Sequence, residues 1–215
     1  MPDEKDERDR RLRVGPADEG EASMDSLGRP RPAASLTLTD GTRVLLRPIR
    51  PDDESALSAL YERLSPQTAY QRFFTVMRRL PPNWAHILAN VDYDRRMAIV
   101  ATDPEDALIG VARYAYDERT DEAEIAIVIE DRWQGRGLGK RLLGELIGYA
   151  ASRGIRRLRA YVLADNGRML KLIRRVTTIL DRKLESGVIS LLLAPPADSG
   201  AVVASGGPSA VPPPH

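Results

Sequence analysis

Glu124-Ile-Ala-Ile-Val-Ile-Glu-Asp-Arg-Trp-Gln-Gly-Arg-Gly-Leu-Gly-Lys140 is the stretch on which the fold turns. Its first half is apolar and β-branched, which predicts a strand. After it, Leu138, Leu142, Leu143, Leu146, Ile147 and Ala150 recur at helical spacing. Between strand and helix, Gly135, Gly137 and Gly139 remove Cβ atoms where backbone N–H groups point out of a helix amino end. First-turn amides have no partner within their own helix, and the helix dipole favours negative charge beside them. Such a turn is an anion site, and a diphosphate is its natural guest.

Elimination narrows which phosphate compound would bind. A Walker A loop needs Gly five residues before its Gly-Lys pair and Ser or Thr after it, but Gln134 and Arg141 stand there. A dinucleotide fingerprint needs a Gly where Lys140 stands, and an acidic residue near Gly154-Ile-Arg-Arg-Leu-Arg159, which has none. The loop is instead Gln134-Gly-Arg-Gly137-Leu-Gly139, of the form Gln-x-x-Gly-x-Gly. In this it resembles the coenzyme A pyrophosphate loop of the GNAT N-acetyltransferases.

The remaining elements alternate around that unit. Leu36-Thr-Leu-Thr39 and Val44-Leu-Leu-Arg47 flank Asp40-Gly41, a hairpin signal. Helices are predicted from Pro51 to about Leu64, after Ser65-Pro66, and after Pro81-Pro82. Strands follow near Met97–Ala101, Leu108–Tyr116 and Glu122–Ile129. Gly154 ends the helix after the glycine loop. A strand over Leu158–Leu163, a helix from Asp165 or Asn166, and a last strand over Val188–Leu193 complete the series. The apolar stripes are read as core, and the aromatics of Tyr70-Gln-Arg-Phe-Phe74 as core or substrate-side packing. The expected fold is α/β, a mixed sheet with helices on both faces, in the GNAT order. One domain over residues 36–194 is expected, between disordered segments at 1–35, charged and lacking large apolar residues, and at 195–215, rich in Pro, Gly, Ser and Ala.

The resemblance sharpens between about Arg43 and Met169. Arg47-Pro-Ile-Arg-Pro-Asp-Asp53, Leu64-Ser-Pro-Gln-Thr-Ala-Tyr-Gln-Arg-Phe-Phe74, Asp92-Tyr-Asp-Arg-Arg-Met-Ala98 and Ile109-Gly-Val-Ala-Arg-Tyr114 together look like the catalytic domain of Pat-type protein lysine acetyltransferases. Members of that group acetylate the active-site lysine of acyl-CoA synthetases and so shut them off. The resemblance therefore implies acetyl-CoA as cosubstrate and a protein carrying a reactive lysine, an acyl-CoA synthetase, as partner. A fused regulatory domain, frequent in the group, is not expected at this length. The alternatives are a small-molecule amine N-acetyltransferase and a non-catalytic acyl-CoA-binding module.

Residue roles follow from the same resemblance. Glu124 matches the family's strand glutamate, the general base. Making an amide from a thioester needs a neutral amine, and neutralising a lysine at pH 7 costs about 4–5 kcal/mol. The strand backbone at Ile127, Val128 and Ile129 would pair with the pantetheine amides, and one of its N–H groups would hold the developing oxyanion. The amides of Gly135, Arg136, Gly137, Leu138, Gly139 and Lys140 would take the pyrophosphate, with side-chain help from Lys140, Arg136 and Arg141. Asn166 matches the family's Asn beside the pantetheine arm, and it also suits a helix N-cap. Many relatives carry a Tyr seven residues later that protonates the leaving thiolate. Here that place is Ile173, and the usual Leu-Gly-Phe is replaced by Val176-Thr-Thr178. A thiol of pKa about 8.5 can leave without full protonation. Glu122, Glu130 and Asp131 are read as solvated neighbours.

Composition bounds the function from outside. With 32 Lys+Arg against 31 Asp+Glu the net charge is +1, which gives no bulk electrostatic case for nucleic acid or an anionic membrane. Zero Cys excludes disulfides and thiolate nucleophiles, and two His leave almost nothing for a metal, so no metal is expected. The charged amino end has no secretory apolar core and no apolar run nears the length of a membrane span, so a cytoplasmic protein is expected.

Overall fold

A computed structural model describes residues 35–75 and 79–196. The expected disorder of 1–35 and 195–215 falls almost wholly outside them. The chain runs β1 (Ser35–Thr37), β2 (Arg43–Pro48), α1 (Glu54–Glu62), α2 (Pro66–Phe73), α3 (Pro82–Ala89), β3 (Arg96–Thr102), β4 (Leu108–Asp117), β5 (Glu122–Ile129), α4 (Leu138–Ser152), β6 (Leu158–Leu163), α5 (Gly167–Val176), β7 (Thr178–Glu185) and β8 (Val188–Ala194). Eight strands form one mixed sheet in the order β1-β2-β3-β4-β5-β6-β8-β7.

Local chemistry explains most boundaries. Gly41 turns the β1–β2 hairpin at φ +84°, and the Asp40 carboxylate accepts from the Thr42 N–H at 3.0 Å. The segment at Pro51 begins as one 3-10 turn, Pro51–Asp53, before α1 becomes regular. That turn is fixed by a buried ion pair: both Arg47 terminal nitrogens lie 2.7 Å from the Asp53 carboxylate oxygens, and Arg50 N–H donates to the same group at 2.7 Å. Burial by itself would raise the Asp53 pKa, but the hydrogen bonds from Arg47 and Arg50 and the Arg47 charge outweigh it and hold the carboxyl low. Ser65 caps α2 by accepting from Thr68 N–H, and Asn166 caps α5 by accepting from Met169 N–H at 3.0 Å. Gly154, at φ +81°, follows α4 and lets Ile155 N–H return to the Ala150 carbonyl.

Strand alternation loads both faces of the sheet. Ala123, Ile125 and Ile127 of β5 join Leu142, Leu143, Leu146 and Ile147 of α4 in one core. Val128 faces the other way and meets Leu57, Leu60 and Tyr61 of α1 in a second. The sheet is antiparallel everywhere except between β5 and β6. A parallel pair needs a crossover, and α4 supplies it.

One strand was not expected. The segment after Val176 continues as β7, almost wholly exposed, and pairs only with β8 at the sheet's edge. Among the described residues no helix is long and apolar enough to cross a membrane.

Candidate active site

β5 is hydrogen-bonded to β4 along its whole length, from Asp117↔Glu122 to Gly110↔Ile129. On its other side it meets β6 at two positions only, Ala123↔Leu158 and Glu124↔Arg159, and then the strands part. From Ile125 to Ile129 that edge of β5 therefore carries backbone groups with no strand beside them. Unpaired edge groups are templates for a further amide-bearing chain. Ile127, Val128 and Ile129, the residues expected to meet a pantetheine arm, all lie on this open edge and line the groove beside it.

The groove runs from the strands' meeting point to the glycine loop. Its wide part, about 340 Å³, is lined by Ile127, Val128, Ile129, Gln134, Gly135, Gly137, Gly139 and Lys140 on one side and by α5 on the other. A narrow part of about 60 Å³ continues beside Glu124. Gln71, Arg72, Ile127, Asn166 and Met169 line both, so they are one channel with a broad mouth and a tight inner end. That shape suits a long carrier with a small group at its tip.

At the broad end stands the amino terminus of α4. Gly137 is its N-cap, in the left-handed region at φ +89°, and Gly135 shares that conformation at φ +78°. Side chains rarely adopt it, which accounts for both glycines. Gly139 answers a different need: a Cβ there would lie 3.2 Å from Leu172 Cδ2 and 3.3 Å from Ile129 Cδ1. Leu138 is buried in the core, so only its backbone can serve the site. Gln134 fixes the loop from behind, donating to the Ile129 carbonyl at 2.9 Å and to Thr68 Oγ1 at 3.3 Å, and accepting from Arg168 at 2.6 Å.

The basic side chains divide. Lys140 lines the groove. Arg136 is spent elsewhere, paired with Asp40 at 2.6 Å and lying over the Trp133 ring, and Arg141 pairs with Glu145 one turn on. The sequence reading missed the cations that do border the groove: Arg168, Lys171 and Arg175 of α5. Their spacing of three and four residues puts them on one helical face, a signal present in the sequence. Gln71 and Arg72 of α2 and Tyr161 of β6 were likewise not foreseen as lining residues, whereas Phe74, just past α2, lines the narrow part in keeping with the substrate-side alternative for that aromatic run.

Glu124 sits exposed at the narrow end, where β5 and β6 meet. Its cross-strand neighbour Arg159 is engaged by Glu122 through two hydrogen bonds of 2.8 and 2.9 Å, and Arg157 donates to Glu122 as well. Burial opposes charge on Glu122, but the hydrogen bonds from Arg159 and Arg157 prevail and its pKa falls. Glu122 therefore holds the Arg159 guanidinium.

Its acidic neighbours are not solvated bystanders. Glu130 is buried against Arg63 at 2.9 Å, and Asp131 accepts from the Ser65 N–H and hydroxyl and from the Thr68 hydroxyl, tying α2 to the loop. Ile173 is buried at the narrow end and offers no proton. Phe73 packs between Tyr61 and Trp84, at ring distances of 5.2 and 6.1 Å, whereas Tyr70 and Phe74 are exposed.

Comparison with known proteins agrees with this geometry. The family model described as acetyltransferase (GNAT) domain matches residues 43–177. An acetyltransferase of Pseudomonas aeruginosa is 35% identical over 136 residues, covering 62% of this chain and 73% of its own. Acetyltransferase Pat of Mycolicibacterium smegmatis is 33% identical over 181 residues, covering 80% of this chain, which spans 54% of Pat. Among solved structures, the GNAT domain of S. lividans PAT superposes with a TM-score of 0.69 at 34% identity, over 75% of this chain and 96% of that domain. With the matched span reaching from β2 past α5, the chain belongs to the GNAT acetyltransferase family.

Proposed function

We propose that this protein transfers an acetyl group from acetyl-CoA to the ε-amine of a lysine on another protein, an acyl-CoA synthetase being the expected acceptor. The observation that carries the reading is the open edge of β5, which leads from the α4 amino terminus to an exposed carboxylate, Glu124. A chain of amides laid along Ile127–Ile129 would extend the sheet by one strand. Its diphosphate would then reach the first-turn N–H groups of Leu138, Gly139 and Lys140, with Lys140, Lys171 and Arg175 adding charge. Its thioester end would lie toward Glu124.

There Glu124, directly or through water, takes the proton of the incoming ammonium, so that the neutral amine attacks the thioester carbon. A β5 backbone N–H holds the negative charge that develops on the carbonyl oxygen. As the tetrahedral intermediate collapses, the C–S bond breaks, CoA leaves as its thiolate, and the new amide nitrogen gives its remaining proton to solvent or to that thiolate. The Asn166 side chain, held by its cap to Met169 N–H, borders both parts of the groove and steadies the carrier's arm. A protein acceptor is supported by the similarity to the Pat domains and by Tyr70, Phe74 and Trp84, exposed on α2 and α3. A cytoplasmic location, where acetyl-CoA is available, belongs to the same proposal.

The test is incubation with radiolabelled acetyl-CoA and a purified acyl-CoA synthetase, followed by gel autoradiography and mapping of the labelled lysine. Label on the synthetase's active-site lysine is the expected result. Label recovered only in small amines from a cell extract would overturn the protein-acceptor reading, and binding without transfer would overturn catalysis.

A further inference from the structure

We infer that β7 is a self-association edge, through which two copies of this chain join their sheets about a two-fold axis centred on Arg182. β7 is the last strand of the sheet, and among the described residues nothing pairs with its outer side. Seven of its eight residues are exposed. Two of them are large and apolar: Leu180 at 52% and Leu184 at 64% exposure.

The sequence of that edge reads Leu180-Asp-Arg-Lys-Leu184, which is symmetric in chemical type about its centre. When an antiparallel strand meets its own copy, residues equidistant from the axis face each other. With the axis at Arg182, Leu180 faces the second copy's Leu184, and Asp181 faces the second copy's Lys183, each pair occurring twice. The side-chain faces agree with this arrangement. Arg182 is registered with Leu191, and Leu184 with Ile189; Asp181 is registered with Leu192, and Lys183 with Ser190. Leu184 thus shares one face of the strand with Arg182, and Asp181 and Lys183 share the other, while Leu180 is the extra residue at a bulge and has no partner on β8.

Other registers lose the match. An axis at Lys183 sets Asp181 against Glu185, and an axis at Asp181 sets Leu180 against Arg182. Like charges directly opposite one another are unfavourable, and so is an apolar residue facing a guanidinium. Charges and a bulge on an edge strand commonly deter pairing. β7 has both, with its register shifting between Ile179 and Asp181. Here, however, the charge signs complement rather than repel when the partner is an identical strand. Asp181 and Lys183 of one chain are 3.8 Å apart in an exposed, long pair, so each can exchange that contact for one across the axis. The Arg182 guanidinium meets its own copy at the axis, where it opposes association. One short strand pair buries less than a standard interface, so the dimer should be weak.

Sedimentation of the full chain tests this. The wild type should show concentration-dependent dimers, and Asp181→Lys and Lys183→Asp should each weaken association at least tenfold. An equimolar mixture of the two variants should associate again as a heterodimer, because lysines then face aspartates at both sites; the double swap in one chain should also restore the homodimer. Register is read separately, since the chain has no cysteine. Arg182→Cys should give a disulfide-linked dimer in air. Glu185→Cys should not, because its two copies would stand roughly 20 Å apart. A monomeric wild type, single swaps that leave association unchanged, or a mixture that fails to recover it each overturns the proposal.

Discussion

Replacing Glu124 by Gln keeps the side chain's shape and removes its ability to accept a proton. At pH 7 a lysine of pKa about 10.4 is neutral in only about four molecules in ten thousand, a free-energy gap of about 4–5 kcal/mol. A positioned base typically contributes about 10²–10⁴ in rate. The fold lets the carboxylate act at that strength. Glu124 is exposed at the narrow end of the groove, and the adjacent Arg159 is already held by Glu122. Ile129 lies five residue steps from Glu124, about 17 Å along a strand, so the substitution leaves the glycine loop untouched. As a hypothesis, Glu124→Gln keeps acetyl-CoA affinity within about twofold by calorimetry and lowers kcat at least about 100-fold at pH 7. The deficit should shrink to below about tenfold by pH 10, where about three amines in ten have already shed their own proton. Stopped assays of labelled acceptor across pH 7–10, with the acceptor's fold monitored at each pH, give both numbers. Near-wild-type turnover at neutral pH, or a ratio that does not change with pH, would refute the assignment.

Two other substitutions test the frame around that carboxylate. Gly137→Asp places a side chain at φ +89° and a carboxylate beside the α4 amino terminus; calorimetry should find acetyl-CoA binding lost, and an unchanged affinity would contradict the loop's role. Asp53→Asn strands the buried Arg47 guanidinium and should cost about 3–5 kcal/mol in urea unfolding. Because the Asp53 pKa is lowered in the fold, its contribution is present above the unfolded carboxyl's pKa of about 3.9 and lost as pH falls through the folded value. The wild-type advantage over Asp53→Asn should therefore hold at neutral pH and narrow only below about pH 4.

What could be read from the sequence was set by local chemistry. The Asp40-Gly41 turn, the Ser65 and Asn166 caps and the amphipathic α4 are short-range decisions, and they stand where expected. β7 is different: Thr178-Ile-Leu-Asp-Arg-Lys-Leu-Glu185 has no buried alternation, because only Ile179 is even partly covered. Its strand character comes from pairing with β8, which no local pattern announces. The same holds for Arg136. Its place in the loop makes it look like a phosphate ligand, yet Asp40, far away in sequence, claims it. Glu122 and Glu130 read as surface acids until Arg159 and Arg63 arrive from other elements. In each case the deciding partner is distant in the chain.

The location of the site follows from one topological event. A sheet built of antiparallel pairs can continue through hairpins, but the single parallel junction, β5 to β6, requires α4 to carry the chain back to the starting end. The crossover begins at the carboxyl end of β5, so the amino terminus of α4, with its unpaired amides, must lie there. The strands diverge toward that same end, since their contact is confined to Ala123–Glu124 and Leu158–Arg159 at the other. The amino terminus of α4 and the open edge of β5 are thereby placed in line. Ligands in open α/β sheets gather where strand connection changes sense for the same reason. Gln134 makes the alignment rigid, because one side chain touches the end of β5, α2 and α5 together. The distance from the α4 amides to Glu124 is then set chiefly by the length of β5, and under the proposed function a carrier bound at one end would have its other end measured off to Glu124.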